Sequence, residues 1–206
     1  MREENKPSEA QESLIQIIEA FRRMRIALAR RKTGNYLILW GFILFVGYIL
    51  TEIFMRLGKY DSIVWVWIIL PTIGLIGVCL ITVNQTKKTK ERFPEGFYIF
   101  LIWISLVFYG FIIFAVILWM GNVSLNGIQV SLLFLNLAMF GYVLMGILLG
   151  KELALIGIST SILSVLCGLF LQKFFNLAMA LICLITFIGG GFYINKKWEL
   201  KNESTS

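Results

Sequence analysis

Apolar residues fall along this chain in long unbroken blocks rather than in the alternation of a half-buried strand. From Gly96 to Gly150 there is not one Lys, Arg, Asp or Glu. That stretch is too long for a single bilayer crossing of about 20 residues, and it breaks at Gly121-Asn122-Val123-Ser124-Leu125-Asn126-Gly127. The pattern predicts two membrane helices, over 97–120 and 129–149, joined by a short uncharged turn. Further apolar runs at 36–55, 63–83, 153–171 and 174–194 predict four more. In lipid every backbone N–H and C=O needs a partner within its own segment, and a helix supplies it. The expected fold class is therefore all-α, a polytopic membrane bundle with six transmembrane helices over 36–194.

The chain ahead of the first span follows a different pattern. Residues 1–7 are polar and predict a disordered tail. Ser8-Glu9-Ala10-Gln11, just after Pro7, has the spacing of a helix-starting capping box. Leu14, Ile17, Ile18, Phe21, Met24 or its neighbour, and Leu28 then recur at helical steps and define one apolar face of a helix over 8–33. Glu9, Glu12 and Glu19 sit in its early turns, and Arg22, Arg23, Arg25, Arg30, Arg31 and Lys32 load its end, an order that suits the helix dipole. Thr33-Gly34-Asn35 reads as the stop between this amphipathic helix and the first span. The segment lacks the short apolar core and small-residue cleavage site of a signal peptide and reads as retained. Residues 195–206 read as a polar cytosolic tail.

Charge sets the expected orientation. Of 19 Lys and Arg residues, Arg56, Lys59 and Lys173 fall in loops on one side of the predicted bundle, and the others fall in the tails, the 84–96 loop or at Lys151. This bias places both termini in the cytosol, with the chain a multi-pass protein of the cell membrane. The net charge of +7 lies beside membrane segments, so the expected partner is the lipid bilayer and not a nucleic acid. A membrane-protein partner or a second copy of the chain is the other expected contact.

Composition narrows the chemistry. There is no His, and Asp61 is the sole Asp. That removes Ser-His and Cys-His nucleophilic pairs, His metal ligands and paired-Asp catalysis. No enzymatic activity, cofactor or metal is expected. Cys79, Cys167 and Cys183 all fall in apolar segments without ligand spacing and read as small buried residues.

Several positions inside the spans stand apart. Ala154, Gly157, Ser161, Ser164 and Gly168 line one helical face with small side chains, a surface for close packing inside the bundle or against a second copy. Asn136 needs a hydrogen-bond partner in hydrocarbon, expected in Ser159-Thr160-Ser161. Pro71, with Gly74, predicts a kink and a candidate hinge. Glu52, read here as the one carboxylate inside a span, follows Tyr48 and precedes Arg56 at steps of four. It is expected to form an ion pair near the interface, with proton carriage as the alternative. Gly189-Gly190-Gly191 predicts close approach of a neighbouring helix or a hinge. Trp40-Gly41-Phe42-Ile43-Leu44 echoes Phe140-Gly141-Tyr142-Val143-Leu144, as an inverted three-span repeat opening spans one and four would.

A basic amphipathic N-terminal helix followed by a Tyr-x-x-x-Trp-Gly opening of the first span, Tyr36 to Gly41 here, resembles the layout of small uncharacterised prokaryotic six-span membrane proteins. That resemblance implies the six-span bundle and implies no activity. The expected role is a non-catalytic assembly partner, anchor or regulator of a membrane complex. Leu14, Ile17, Ile18 and Phe21, with Arg22, Arg23 and Arg25, form its membrane-surface or partner face. The alternative is a small transporter or channel for a neutral or apolar solute.

Overall fold

Helices account for nearly all of the described residues, which are 11–19, 32–89, 95–120 and 124–203 of a computed structural model. Helix α1 covers 11–19. It is followed by α2 (Gly34–Arg56), α3 (Tyr60–Thr89), α4 (Glu95–Met120), α5 (Gly127–Leu149) and α6 (Lys151–Phe170). The last line is composite: a 3-10 turn (Gln172–Phe174), α7 (Phe175–Cys183), a π turn (Leu184–Gly189) and α8 (Gly190–Glu203). Six of these lines are long and apolar enough to cross a membrane. The chain is a multi-pass membrane protein built as an all-α bundle. The Ser8 cap, Phe21, Arg22, Arg23, Arg25 and the Gly121–Val123 part of the predicted turn lie outside the described residues, as do the tails 1–7 and 204–206.

The helix ends follow local chemistry. Asn126 and Gln129 form a reciprocal capping box, each side chain accepting from the other's backbone N–H at 2.9 Å. This starts α5 at Gly127, two residues ahead of the expected boundary. The left-handed residue before α2 is Lys32 (φ 44°), whereas Gly34 already belongs to the helix. The expected stop at Gly34 is therefore misplaced, and Gly34 serves packing instead. In the turn between α2 and α3, Gly58 takes φ 69°, a conformation glycine adopts without steric cost.

Laid side by side, the helices run α3, α2, α7–α8, α6, α5, α4, and α5 returns to α2 through Tyr48 and Ser131, whose hydroxyls lie 2.7 Å apart. The buried core comes from α2, α5, α6 and the composite line, with Leu37, Tyr48, Leu135, Met139, Leu153, Cys167, Met179, Cys183 and Phe187 at its centre. Helices α3 and α4 flank this core, one on α2 and the other on α5, and keep most of their apolar surface outward. Trp67 of α3 is held by an edge contact with Tyr48 and a 3.0 Å hydrogen bond to Thr51. Trp103 of α4 makes an edge contact with Tyr142.

Backbones come closest where side chains are smallest. A Cβ on Gly34 would run into the carbonyl of Gly191, and one on Gly191 would lie 2.6 Å from the carbonyl of Gly34. Of the three glycines 189–191, Gly191 thus packs on α2 and Gly190 on Ile156 of α6, while a Cβ on Gly189 would meet nothing within 4 Å. Helices α5 and α6, joined by Gly150 alone, pair in antiparallel register: Gly146 against Ala154, Met139 and Val143 against Gly157, Asn136 with Ser164, Leu132 against Gly168. The small-residue face of α6 is therefore covered by α5 within one chain. Its centre is turned by one residue from expectation, because Thr160 and Ser164 are fully buried whereas Ser161 is only partly so.

Helix α3 runs unbroken through Pro71, and Gly74 is the seat for the Trp40 indole, with a would-be Cβ 3.2 Å from the ring. The repeat reading loses its register. Trp40 stands in the second turn of α2, but Phe140 stands mid-way along α5, so the two motifs open no equivalent helices.

Replacing Gly157 with Leu forces a side chain into Met139 and Val143 and is expected to destabilise the protein by about 1–3 kcal/mol. Ser161→Leu should cost less, and Leu163→Ile, at a position 41% exposed, should stay within about 0.5 kcal/mol. Thermal unfolding in one detergent checks this order.

Candidate functional site

Polar side chains gather at the two ends of the bundle. At the end nearest the chain termini, Asn195 of α8 reaches the start of α2. Its Oδ1 accepts from Gly34 N–H at 2.9 Å, and its Nδ2 donates to Asn35 Oδ1 at 2.8 Å. The first N–H groups of a helix have no partner within it, and Thr33 provides no side-chain cap. Asn195 thus acts as a cap supplied from the other end of the sequence. On the far side of α2, Tyr36 Oη donates to Gln85 Oε1 at 3.2 Å and lies 3.0 Å from Thr82 Oγ1, tying α2 to α3.

Glu152 occupies the first turn of α6 with its side chain 5% exposed, and Lys197 Nζ meets its Oε1 at 2.9 Å. Glu52 is therefore joined by a second carboxylate inside a span, and α8 continues past 195 to Glu203, with Lys197 turned onto α6. Lys197 also donates to Tyr193 Oη at 3.2 Å. These groups line a groove of about 440 Å³ between α6 and α8, with Lys151, Leu155, Ile156, Gly189 and Gly190 completing its walls. A second cleft, of about 410 Å³ and almost wholly apolar, lies between α4 and α5 at Leu101, Ser105, Tyr109 and Leu144.

At the opposite end Glu52 is held from two sides. Arg56 Nε donates to its Oε1 at 2.8 Å, and Asn176 Nδ2 of α7 donates to its Oε2 at 3.1 Å. The Arg56 side chain is 65% exposed while that of Glu52 is 12% exposed, so the pair is a surface contact with its carboxylate turned inward. Tyr48, one turn earlier, points into the core and not along this stack. Asn136 finds its partners one turn beyond the expected cluster: Leu132 O at 2.9 Å and Ser164 Oγ at 3.3 Å. Ser164 in turn donates to Ser161 O at 2.8 Å.

Glu52, Asn136 and the α6 face are thus distributed through the bundle and do not converge on one pocket. Among the described residues, no group of three His, Cys, Asp or Glu lies close enough to hold a metal ion. The bundle interior is filled: Met179, Ala180, Cys183, Thr160 and Ser164 have no exposure, and Phe187 and Met139 have 1%.

The chain matches no family model, no curated protein and no solved structure. Its own geometry is what any reading of function rests on. Asn176, Asn195 and Glu152 were not singled out from the sequence, although each is a polar residue at the edge of an apolar run. In α1, Leu14, Ile17 and Ile18 are 57%, 52% and 57% exposed, and Ile15 beside them is 51% exposed.

Asn195→Ala removes the cap on α2 and is expected to cost about 1–2 kcal/mol, against about 0.5 kcal/mol or less for Lys196→Ala on an exposed position. Urea or thermal melts of the purified protein decide between them.

Proposed function

We propose that this chain is a non-catalytic component of a membrane assembly, serving as partner, anchor or regulator of another membrane complex. The observation that carries the reading is the open apolar surface of α1, where Leu14, Ile15, Ile17 and Ile18 are all more than half exposed. An amphipathic helix with an uncovered apolar face is completed by a groove in another protein or by a membrane surface. The basic run after it, Arg22 to Lys32 in the sequence, favours a site beside anionic lipid. The absence of His and the single Asp in the sequence support a role without catalysis.

The reading expects a stoichiometric partner when the full-length protein is extracted in mild detergent. Ile17→Asp should reduce its recovery by roughly tenfold or more, as loss of a central apolar anchor does. A protein that purifies alone, or a partner equally retained by Ile17→Asp, ends the proposal.

A second reading, transport of a neutral or apolar solute, draws on the π turn Leu184–Gly189 in the middle of the sixth span, since such turns inside helices are frequent at functional sites. The filled interior beside it weighs on the side of the first reading.

We further propose that both termini face the cytosol of a cell membrane, on the strength of the Lys and Arg bias. A reporter active only outside the cytosol, fused after Ser206, should remain silent. Activity of that fusion places the C-terminus outside and overturns the orientation.

A further inference from the structure

The groove between α6 and α8 opens where the apolar length of both helices gives way to charge. Lys151 is the first residue of α6, and Lys197 stands one turn beyond Tyr193 in α8. Lys197 Nζ spends one N–H on Glu152 at 2.9 Å and a second on Tyr193 Oη at 3.2 Å. An ammonium group has three donors, so one remains for an acceptor in the groove. Among the described lining residues, two ammonium groups stand against one buried carboxylate, an excess of one positive charge.

Away from the rim the groove is apolar. Leu155 on its wall is 62% exposed. The opposite wall is open because Gly189 has no side chain and a Cβ there would meet nothing within 4 Å. A cationic rim above an open apolar slot, at the boundary of a membrane span, has the polarity of an amphiphile with a single anionic headgroup.

We propose that this groove binds one anionic phospholipid from the leaflet on the side of the chain termini. The phosphate accepts from Lys151 and from the free donor of Lys197. The adjoining part of one acyl chain lies along Leu155 across Gly189. Glu152 holds Lys197 in place and limits the site to one excess positive charge, which selects a headgroup of net charge −1 over a zwitterionic one. The proposal does not rest on the assembly role, since it uses no residue of α1.

The test uses the full-length protein, stripped of lipid in mild detergent, with phosphatidylglycerol, phosphatidylcholine or inorganic phosphate added. Phosphatidylglycerol should raise the unfolding temperature, phosphatidylcholine should do so much less, and inorganic phosphate should do nothing. Lys151→Gln should require roughly fivefold more phosphatidylglycerol for the same shift, the loss expected for one Lys near an anionic surface. Gly189→Leu, at a position where a Cβ meets nothing within 4 Å, puts a side chain into the slot and should abolish the shift while leaving the lipid-free melt in place. Lys173→Gln, at the opposite end, should respond as the native protein does. Native mass spectrometry of the same samples reads the retained lipid directly. An equal response to both phospholipids would overturn the proposal, as would a shift reproduced by phosphate alone. So would undiminished phosphatidylglycerol binding in both Lys151→Gln and Gly189→Leu.

Discussion

Close approach of helix backbones holds this bundle together. Hydrocarbon tails are as apolar as leucine, so helices in a bilayer gain little from hiding apolar side chains against one another and depend on tight packing and hydrogen bonds. Gly34 against Gly191, Gly146 against Ala154 and Gly157 against the Met139 carbonyl provide the tight packing. The hydrogen bonds follow from it. Asn195 reaches the first N–H of α2 because Gly34 and Gly191 let the helices touch, and Asn136 meets Ser164 in the same register that seats Gly157.

The same constraint separates the middle of the protein from its ends. Thr51, Thr72, Thr82 and Thr186 return their hydroxyls to carbonyls four residues earlier on their own helices, which leaves them nothing to ask of lipid. The contacts of Glu52 with Asn176, Glu152 with Lys197 and Asn195 with Asn35 fall at the ends of the bundle, while Asn136 meets Ser164 between α5 and α6. Charged side chains thus meet at the rims, and the interior is mainly packed apolar and small residues.

Most of the fold was legible from the sequence because six charge-poor runs of span length admit few alternatives. The α5–α6 packing face was legible for a related reason, since small residues at steps of three and four declare a helix surface. What escaped was pairing between distant positions. Nothing local at Glu152 announces Lys197, and nothing at Gly34 announces Asn195, because such contacts depend on which helices become neighbours. Gly34 looked like a helix stop because Thr-Gly-Asn has that composition. Its place at a helix crossing, with Lys32 taking the left-handed turn, is a tertiary fact. The capping box at Asn126 and Gln129 was present in the spacing and escaped only because the apolar run begins later than the helix does.

The cap on α2 has a consequence for how the protein is made. Gly34 and Asn195 are separated by 161 residues, and a ribosome adds roughly 5–20 residues per second. The first span thus waits on the order of ten to thirty seconds for the residue that satisfies its leading N–H and for the glycine that lies against it. Over that interval the crossing face of α2 is open to lipid, to the insertion machinery or to another chain, and the last span to be synthesised is the one that closes it.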